Sequence, residues 1–359
     1  MKKVIIVSTV GLIYDGITNI MMSYIKAMNK DGIDIYVAST IKSEHGIIEQ
    51  LKASGCHIVD LPSRRENPIR YFCELTKFIR KNKIDIIHAH GNSATLTIEM
   101  AAGWLGGCKK RIAHSHNTKC DQVKADKLLR PLFYLLYTDA VACGKEAGQW
   151  LFENRQFTIL KNGRCINDFL YNSKTRKLMR EKLRVDDKVV IGHVGGFFEQ
   201  KNHKFLIDIF RKIIEIEPNA QLLLLGDGPL KSKIEDSCRD IKEKIVFVGT
   251  TNHVSDYLQA MDGMLLPSLF EGLPLVAIEW QINGLPCLFS DTVTKDCGLM
   301  PNVEFVSLDE KPKVWALKIL NLIRDNNREK CSEMAISVVE EAGFNIEKNA
   351  EELRKLYIN

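Results

Sequence analysis

A chain of 359 residues, 45% hydrophobic and 26% charged, has the composition of an ordinary globular protein and the length for two domains, each burying a core of its own. Its net charge of +5 comes with no basic stripe and no nucleic-acid motif, which excludes DNA or RNA as the expected partner and suits phosphates or an anionic membrane surface better. Ten cysteines stand singly with no C-x-x-C pair, the usage of a reduced cytoplasm, and no apolar stretch approaches the roughly 20 residues that span a bilayer.

The opening MKKVIIVSTV reads as a buried first strand that flows into Gly11. It is too short for a signal peptide and lacks a small-residue cleavage site. Strand-like runs then alternate with helix-length amphipathic stretches. Strands are expected at 4–7, 33–38, 57–61, 84–89, 111–115, 140–143 and 158–161, with helices such as 18–29, 68–81 and 94–105 between them. The polar stretch 167–188 reads as a link and an opening helix, after which strands recur at 189–194, 221–225, 244–248, 263–266 and 286–289. Beyond Phe305 helix is expected to the end, with Ile346, Ala350, Leu353 and Tyr357 on one face. This alternation predicts α/β architecture with two doubly wound parallel sheets in tandem, over 1–166 and 167–344.

Chemistry-bearing residues gather where strands end. The first loop, STVGLIYDGITN, sets Gly11 and Gly16 before a helix but is no G-x-G-x-x-G fingerprint, which disfavours a nicotinamide oxidoreductase. DIIHAHG and RIAHSHNT place His88 with His90, and His114 with His116, on one face of their strands. Such pairs suit a metal, yet no cysteine or carboxylate-rich segment completes a ligand set, so no metal site is expected and the ligand crevice is favoured. In GHVGGFFEQKNH, Gly195 and Gly196 allow close backbone approach, Asn202 follows, and Lys201, expected to begin the next helix, could meet a diphosphate as a point charge. Asp227 in LLLLGDGPL reads as a helix cap, and Gly249 to His253 close a further strand. Finally, PSLFEGLPLVAIEWQINGLPCLFSD, residues 267–291, holds two carboxylates, Glu271 and Glu279, eight residues apart across a strand-to-helix corner. The free N–H groups of that helix, around Leu275 and Val276, suit a phosphate. A plainer reading makes Glu271 a cap and Glu279 a solvated face.

The last segment resembles the signature of the retaining nucleotide-sugar glycosyltransferases of family 4, with the GT-B fold, in which two glutamates bracket seven residues. The resemblance is densest over residues 192–291 and loosest in the first half. It implies two Rossmann-like domains facing across a cleft, the first on the acceptor side and joined by a returning terminal helix, 345–359, the second binding the nucleotide sugar. It implies His116, Lys201 and Glu271 as catalytic residues. Gly16, Gly195, Gly196, Asn202, Gly249, His253, Gly272, Leu273, Leu275, Val276 and Glu279 are then substrate-binding, Glu279 on the ribose. Asn162-Gly163 matches the family's interdomain segment. No metal or other cofactor is implied, since the nucleotide sugar, a UDP-sugar by preference, is a co-substrate. The acceptor expected is a saccharide hydroxyl on a lipid carrier in surface polysaccharide synthesis. One departure is plain: the family commonly has arginine where this chain has Gly196. That leaves open an epimerase or hydrolase on the same fold, or a non-catalytic partner subunit.

The stretch QVKADKLLRPLFYLLY mixes Lys124, Lys127 and Arg130 with Leu128, Leu129, Leu132 and Phe133, and Arg64, Arg65 and Arg70 add charge nearby in sequence. It reads either as an interfacial helix for the inner face of the membrane or as an amphipathic helix packed on its sheet.

Overall fold

The computed structural model describes residues 1–13, 15–41 and 43–359. Tyr14, inside the loop after the first strand, lies outside the described residues. The chain divides into two compact units, Met1–Gly163 with Ile346–Asn359, and Arg164–Asn345.

The first unit runs β1 (Lys2–Ser8), α1 (Gly16–Ala27), β2 (Ile33–Ser39), α2 (His45–Ala53), β3 (His57–Asp60), α3 (Pro68–Asn82), β4 (Ile86–Gly91), α4 (Thr97–Gly106), β5 (Lys110–Ser115), α5 (Val123–Leu136), β6 (Asp139–Ala142), α6 (Lys145–Phe152) and β7 (Thr158–Ile159). Its sheet is parallel throughout, in the order β3-β2-β1-β4-β5-β6-β7. The order turns back on itself between β1 and β4, the switch point where α/β sheets open a crevice beyond their strand ends. His88 and His90 on β4 are therefore set at that point by topology. Strands buried on both faces need apolar residues at every position, which is why Val4, Ile5, Ile6 and Val7 run without a polar break.

The second unit runs α7 (Ser173–Leu183), β8 (Val189–Val194), α8 (His203–Ile216), β9 (Ala220–Leu225), α9 (Lys231–Ser237), β10 (Ile245–Gly249), α10 (Val254–Ala260), β11 (Gly263–Leu266), α11 (Leu275–Ile282), β12 (Cys287–Ser290), β13 (Val303–Val306), α12 (Pro312–Asp325) and α13 (Arg328–Glu341). Its parallel sheet has the order β10-β9-β8-β11-β12-β13, so its switch point lies between β8 and β11. Alternation along the strands builds two cores. Leu222, Leu224, Leu265 and Leu288 face Phe210, Trp315 and Ile319, while Leu223, Leu225, Leu266 and Phe289 face Ala277, Trp280 and Val339. Asn172 caps α7, its side chain accepting from Thr175 N at 2.9 Å.

A last helix, α14 (Ile346–Ile358), belongs to the first unit, where Ala350, Leu353 and Tyr357 are buried and the helix packs on α1. Helices α12, α13 and α14 follow Phe305 as expected, but strand β13 just before them is not among the expected strands. Val303–Val306 is a short edge strand paired with β12 alone, too brief to show a period by itself.

Candidate active site

In the second unit the loops after β8 and β11 meet at the switch point. Leu269 N donates to Gln200 O at 2.8 Å, and Gln200 Nε2 donates to Phe270 O at 2.9 Å and to Glu271 Oε2 at 3.0 Å. The other oxygen, Glu271 Oε1, accepts from Lys201 Nζ at 2.6 Å and Ser268 Oγ at 2.8 Å. Ser268 is itself pinned, its carbonyl accepting from Ser290 and Thr292. Glu271 thus has every oxygen engaged by side chains from the two loops and does not cap α11, which has no side-chain cap. Lys201 does not begin α8 either. It ends a short 3-10 turn, Glu199–Lys201, and Asn202 in the left-handed region, φ 52°, starts the helix after it.

Glu279 is buried on α11, not solvated, and Oε1 accepts from Arg164 Nε at 2.5 Å. Among the described residues its Oε2 takes no protein hydrogen bond. Burial raises this carboxyl above its usual range even though Arg164 pulls the other way. Leu275 and Val276 form the first turn of α11, where N–H groups have no partner inside the helix and the dipole is positive. Gly272 has open space where a side chain would stand, and Leu273 packs against the core beside it.

The glycine loop is built backbone on backbone. Gly195 N donates to Leu225 O at 2.9 Å and Phe197 N to Asp227 O at 3.0 Å. A Cβ on Gly228, φ +159°, would sit 2.8 Å from Phe197 N and O. Asp227 does not cap α9; its side chain accepts from its neighbour Gly228 N. A Cβ on Gly195 would come within 2.9 Å of His193 Nε2 and 3.3 Å of the Lys201 stem, while for one on Gly196 the nearest atoms are those of the Phe198 ring at 2.6 Å, then Asp227 O at 3.4 Å. Gly249, φ +81°, accepts from Gly226 N at 2.9 Å, and His253 is exposed at the start of α10.

In the first unit, β4 and β5 pair with His90 opposite His114, which gathers all four histidines. His90 Nδ1 and His116 Nε2 are 2.8 Å apart, and His88 Nε2 lies 3.2 Å from His114 Nδ1. Burial pushes His88 and His116 down to about 3, and the same cause, with the neighbouring rings, lowers His90 and His114. The cluster is therefore neutral at physiological pH. Asp15 caps α1 by accepting from Thr18 N at 2.8 Å, and Gly16 beside it faces open space.

The comparisons with known proteins meet this geometry at both loops. The family model described as "Glycosyl transferases group 1" matches residues 188–325, and the one described as "Glycosyl transferase 4-like" matches residues 9–142. EpsF of Bacillus subtilis (strain 168), which bears the name of a glycosyltransferase, is 30% identical, with 97% of this chain and 94% of that protein covered. The chain belongs to the family 4 glycosyltransferases. A second relative of this glycosyltransferase, UDP-Gal:alpha-D-GlcNAc-diphosphoundecaprenol alpha-1,3-galactosyltransferase of Escherichia coli, is 27% identical over 79% of this chain and 78% of its own. Among solved structures, a glycosyltransferase from Rickettsia africae matches with a TM-score of 0.81 at 14% identity, covering 99% of this chain and 98% of that one. Anabaena HepE in complex with UDP matches at 0.78 and 14%, covering 99% of each. At these identities they show the GT-B fold. Arg164, Gln200 and Ser268 are the residues that reading the sequence missed. Arg164 directly follows Asn162-Gly163, and Ser268 and Gln200 sit three residues and one residue from the expected site residues; Arg164 and Gln200 matter through partners on other segments, Ser268 through Glu271 in its own loop.

Proposed function

We propose that this glycosyltransferase moves a hexosyl group from a UDP-sugar to a hydroxyl of a lipid-linked saccharide in surface polysaccharide synthesis, with the anomeric configuration retained. The observation that carries the reading is the meeting of Lys201, Glu271 and the amino end of α11 at the switch point of the second unit. A diphosphate there is met by the Lys201 ammonium and by the N–H groups of Leu275, Val276 and the Gly195-Gly196 loop, which stabilise the charge that develops as the sugar leaves. No metal is assigned a part. Glu279, with Oε1 held by Arg164, offers Oε2 to the ribose, and the loop from Gly249 to His253 takes the base. Within the second unit Glu271 is assigned to the transferred sugar; in the first unit His116 is carried as a sugar-contacting residue and Gly16 as a diphosphate-side residue on the family resemblance alone. HepE has been solved with UDP and with UDP-glucose, and the Escherichia coli relative is named for a UDP-Gal donor and a diphosphoundecaprenol acceptor, which favours this donor and acceptor class.

The same reading places the protein at the inner face of the membrane. Leu128 and Leu135 on α5 are 80% and 79% exposed, with Leu132 also exposed, a stripe at helical spacing that the unit leaves uncovered. Lys124 and Lys127 are exposed on the same helix. Arg130 and Arg64 drop out of this surface: Arg130 is tied to Asp126 at 2.8 Å, and Arg64 to the fully buried Glu99 at 2.6 Å. No helix of the described residues is long and apolar enough to cross a membrane.

A thermal-shift screen with UDP, UDP-glucose and UDP-galactose tests the donor site, because a ligand that binds only the folded form raises Tm. UDP should shift the wild type and not Glu279→Gln. No shift with any nucleotide would favour a non-catalytic partner subunit, and full turnover of donor without acceptor would favour a hydrolase or epimerase.

A further inference from the structure

The four histidines at the ends of β4 and β5 exceed what the reaction above uses, and their protons can be followed from Tyr357 on α14. Tyr357 is buried, and among the described residues its hydroxyl has one partner, His88 Nδ1 at 2.6 Å. Burial holds the phenol proton on, with the group pushed far above its usual range. A buried O–H that failed to donate would lose its water and gain nothing, so the hydroxyl donates to His88 Nδ1. A neutral imidazole that accepts on one nitrogen carries its proton on the other. His88 therefore donates from Nε2 to His114 Nδ1, 3.2 Å away, and His114 in turn carries its proton on Nε2.

That last N–H is buried and has no protein partner. The next ring is His116, stacked on His114 with centroids 4.2 Å apart, and its Nδ1 is likewise buried without a partner. A divalent cation is the other occupant to weigh, since ring nitrogens of His88, His90 and His114 lie within 4.8 Å of one another. Both nitrogens of His88 are already engaged, so a metal would have to break the contact with Tyr357 or the one with His114.

We propose that Tyr357 is a positioning residue: through His88 it fixes the proton of His114 on Nε2, and so sets the tautomer of the buried ring stacked against His116, the side chain that would meet the saccharide. The opposite tautomer would put a lone pair at that edge of the ring. The ligand in this inference rests on the glycosyl-transfer reading, whereas the proton order rests on the hydrogen bonds alone.

Nitrogen-15 NMR of histidine-labelled full-length protein at pH 7 reads the proton order directly. His88 and His114 should both be protonated at Nε2 only. Tyr357→Phe keeps the ring and its packing, and should give mixed tautomers at both histidines while the UDP-induced thermal shift stays as in the wild type. With UDP-glucose or UDP-galactose as donor, its kcat should fall about fivefold with donor KM unchanged, the worth of one neutral hydrogen bond. Protonation of His88 at Nδ1 in the wild type, tautomers unchanged in Tyr357→Phe, an unchanged kcat, or zinc retained at one equivalent would each overturn the proposal. Failure of the wild type to turn over any nucleotide sugar would sink the glycosyl-transfer reading instead, and the spectra would still decide the proton order.

Discussion

Gly196 stands where the family commonly has arginine, and its surroundings show what an arginine would meet. The obstacle to a Cβ is chiefly the Phe198 ring, itself 54% exposed and free to swing away. We therefore expect Gly196→Arg to fold normally and to lower the Kd for UDP about tenfold in calorimetry, since a hydrogen bond to a charged group is worth roughly 1.5–3 kcal/mol. Its neighbour differs. Gly195→Ala drives a methyl group against buried His193 and the Lys201 stem, and should cost about 1–3 kcal/mol of stability by urea unfolding, with weaker UDP binding. At this scale Glu271 and Glu279 were visible in the sequence because glycines and prolines crowd their loop. Their partners were not. Arg164 lies 115 residues from Glu279, and Gln200 lies 71 from Glu271, distances that only chain folding closes.

Helix α5 divides its residues between two readings. Phe133 and Leu136 are buried against the sheet, as a packed amphipathic helix requires, while Leu128, Leu132 and Leu135 face outward. Replacing those three by serine removes exposed apolar surface, so stability should change by no more than about 0.5 kcal/mol per site. Flotation with anionic vesicles should show wild-type binding that falls with salt, and little binding of the triple variant; equal binding of both would count against this surface. The strand and helix order was legible at the element scale because parallel strands are apolar at every position. Strand β13 was not, since four residues on a sheet edge take their structure from β12 alongside.

For the whole molecule, the histidines make stability depend on pH in one direction. Burial lowers His88 and His116 to about 3 and His203 to about 4, and lowers His90, His114 and His193 as well. An unfolded chain binds those protons near pH 6.5, so their contribution is complete above 6.5 and is lost as pH falls toward 3 to 4. Glu279, raised by burial from 4.5, acts in the opposite sense, one group against six. The urea midpoint should drop steadily from pH 6.5 to 4, and a flat midpoint would show that these rings are not held neutral. Deleting residues 346–359 strips Ala350, Leu353 and Tyr357 from the first unit, which the chain reaches only after completing the second. In thermal unfolding of that variant the first unit should melt at a lower temperature than in the wild type, while UDP binding persists.

The sequence by itself determined the alternation of strands and helices, the two parallel sheets and the loops that carry the chemistry. Periodicity and the placing of glycines are local properties of a chain, and they suffice for that. It also showed Glu271 and Glu279 as a pair of acids at the corner of α11. Tertiary structure alone decided that Glu271 is clasped by Lys201, Gln200 and Ser268, that Glu279 is buried against Arg164, and that Tyr357 reaches His88 from the far end of the chain. All but the Ser268 bond, which spans three residues, join segments far apart in sequence, and such bonds come into being only when each sheet has set its switch point and closed its core.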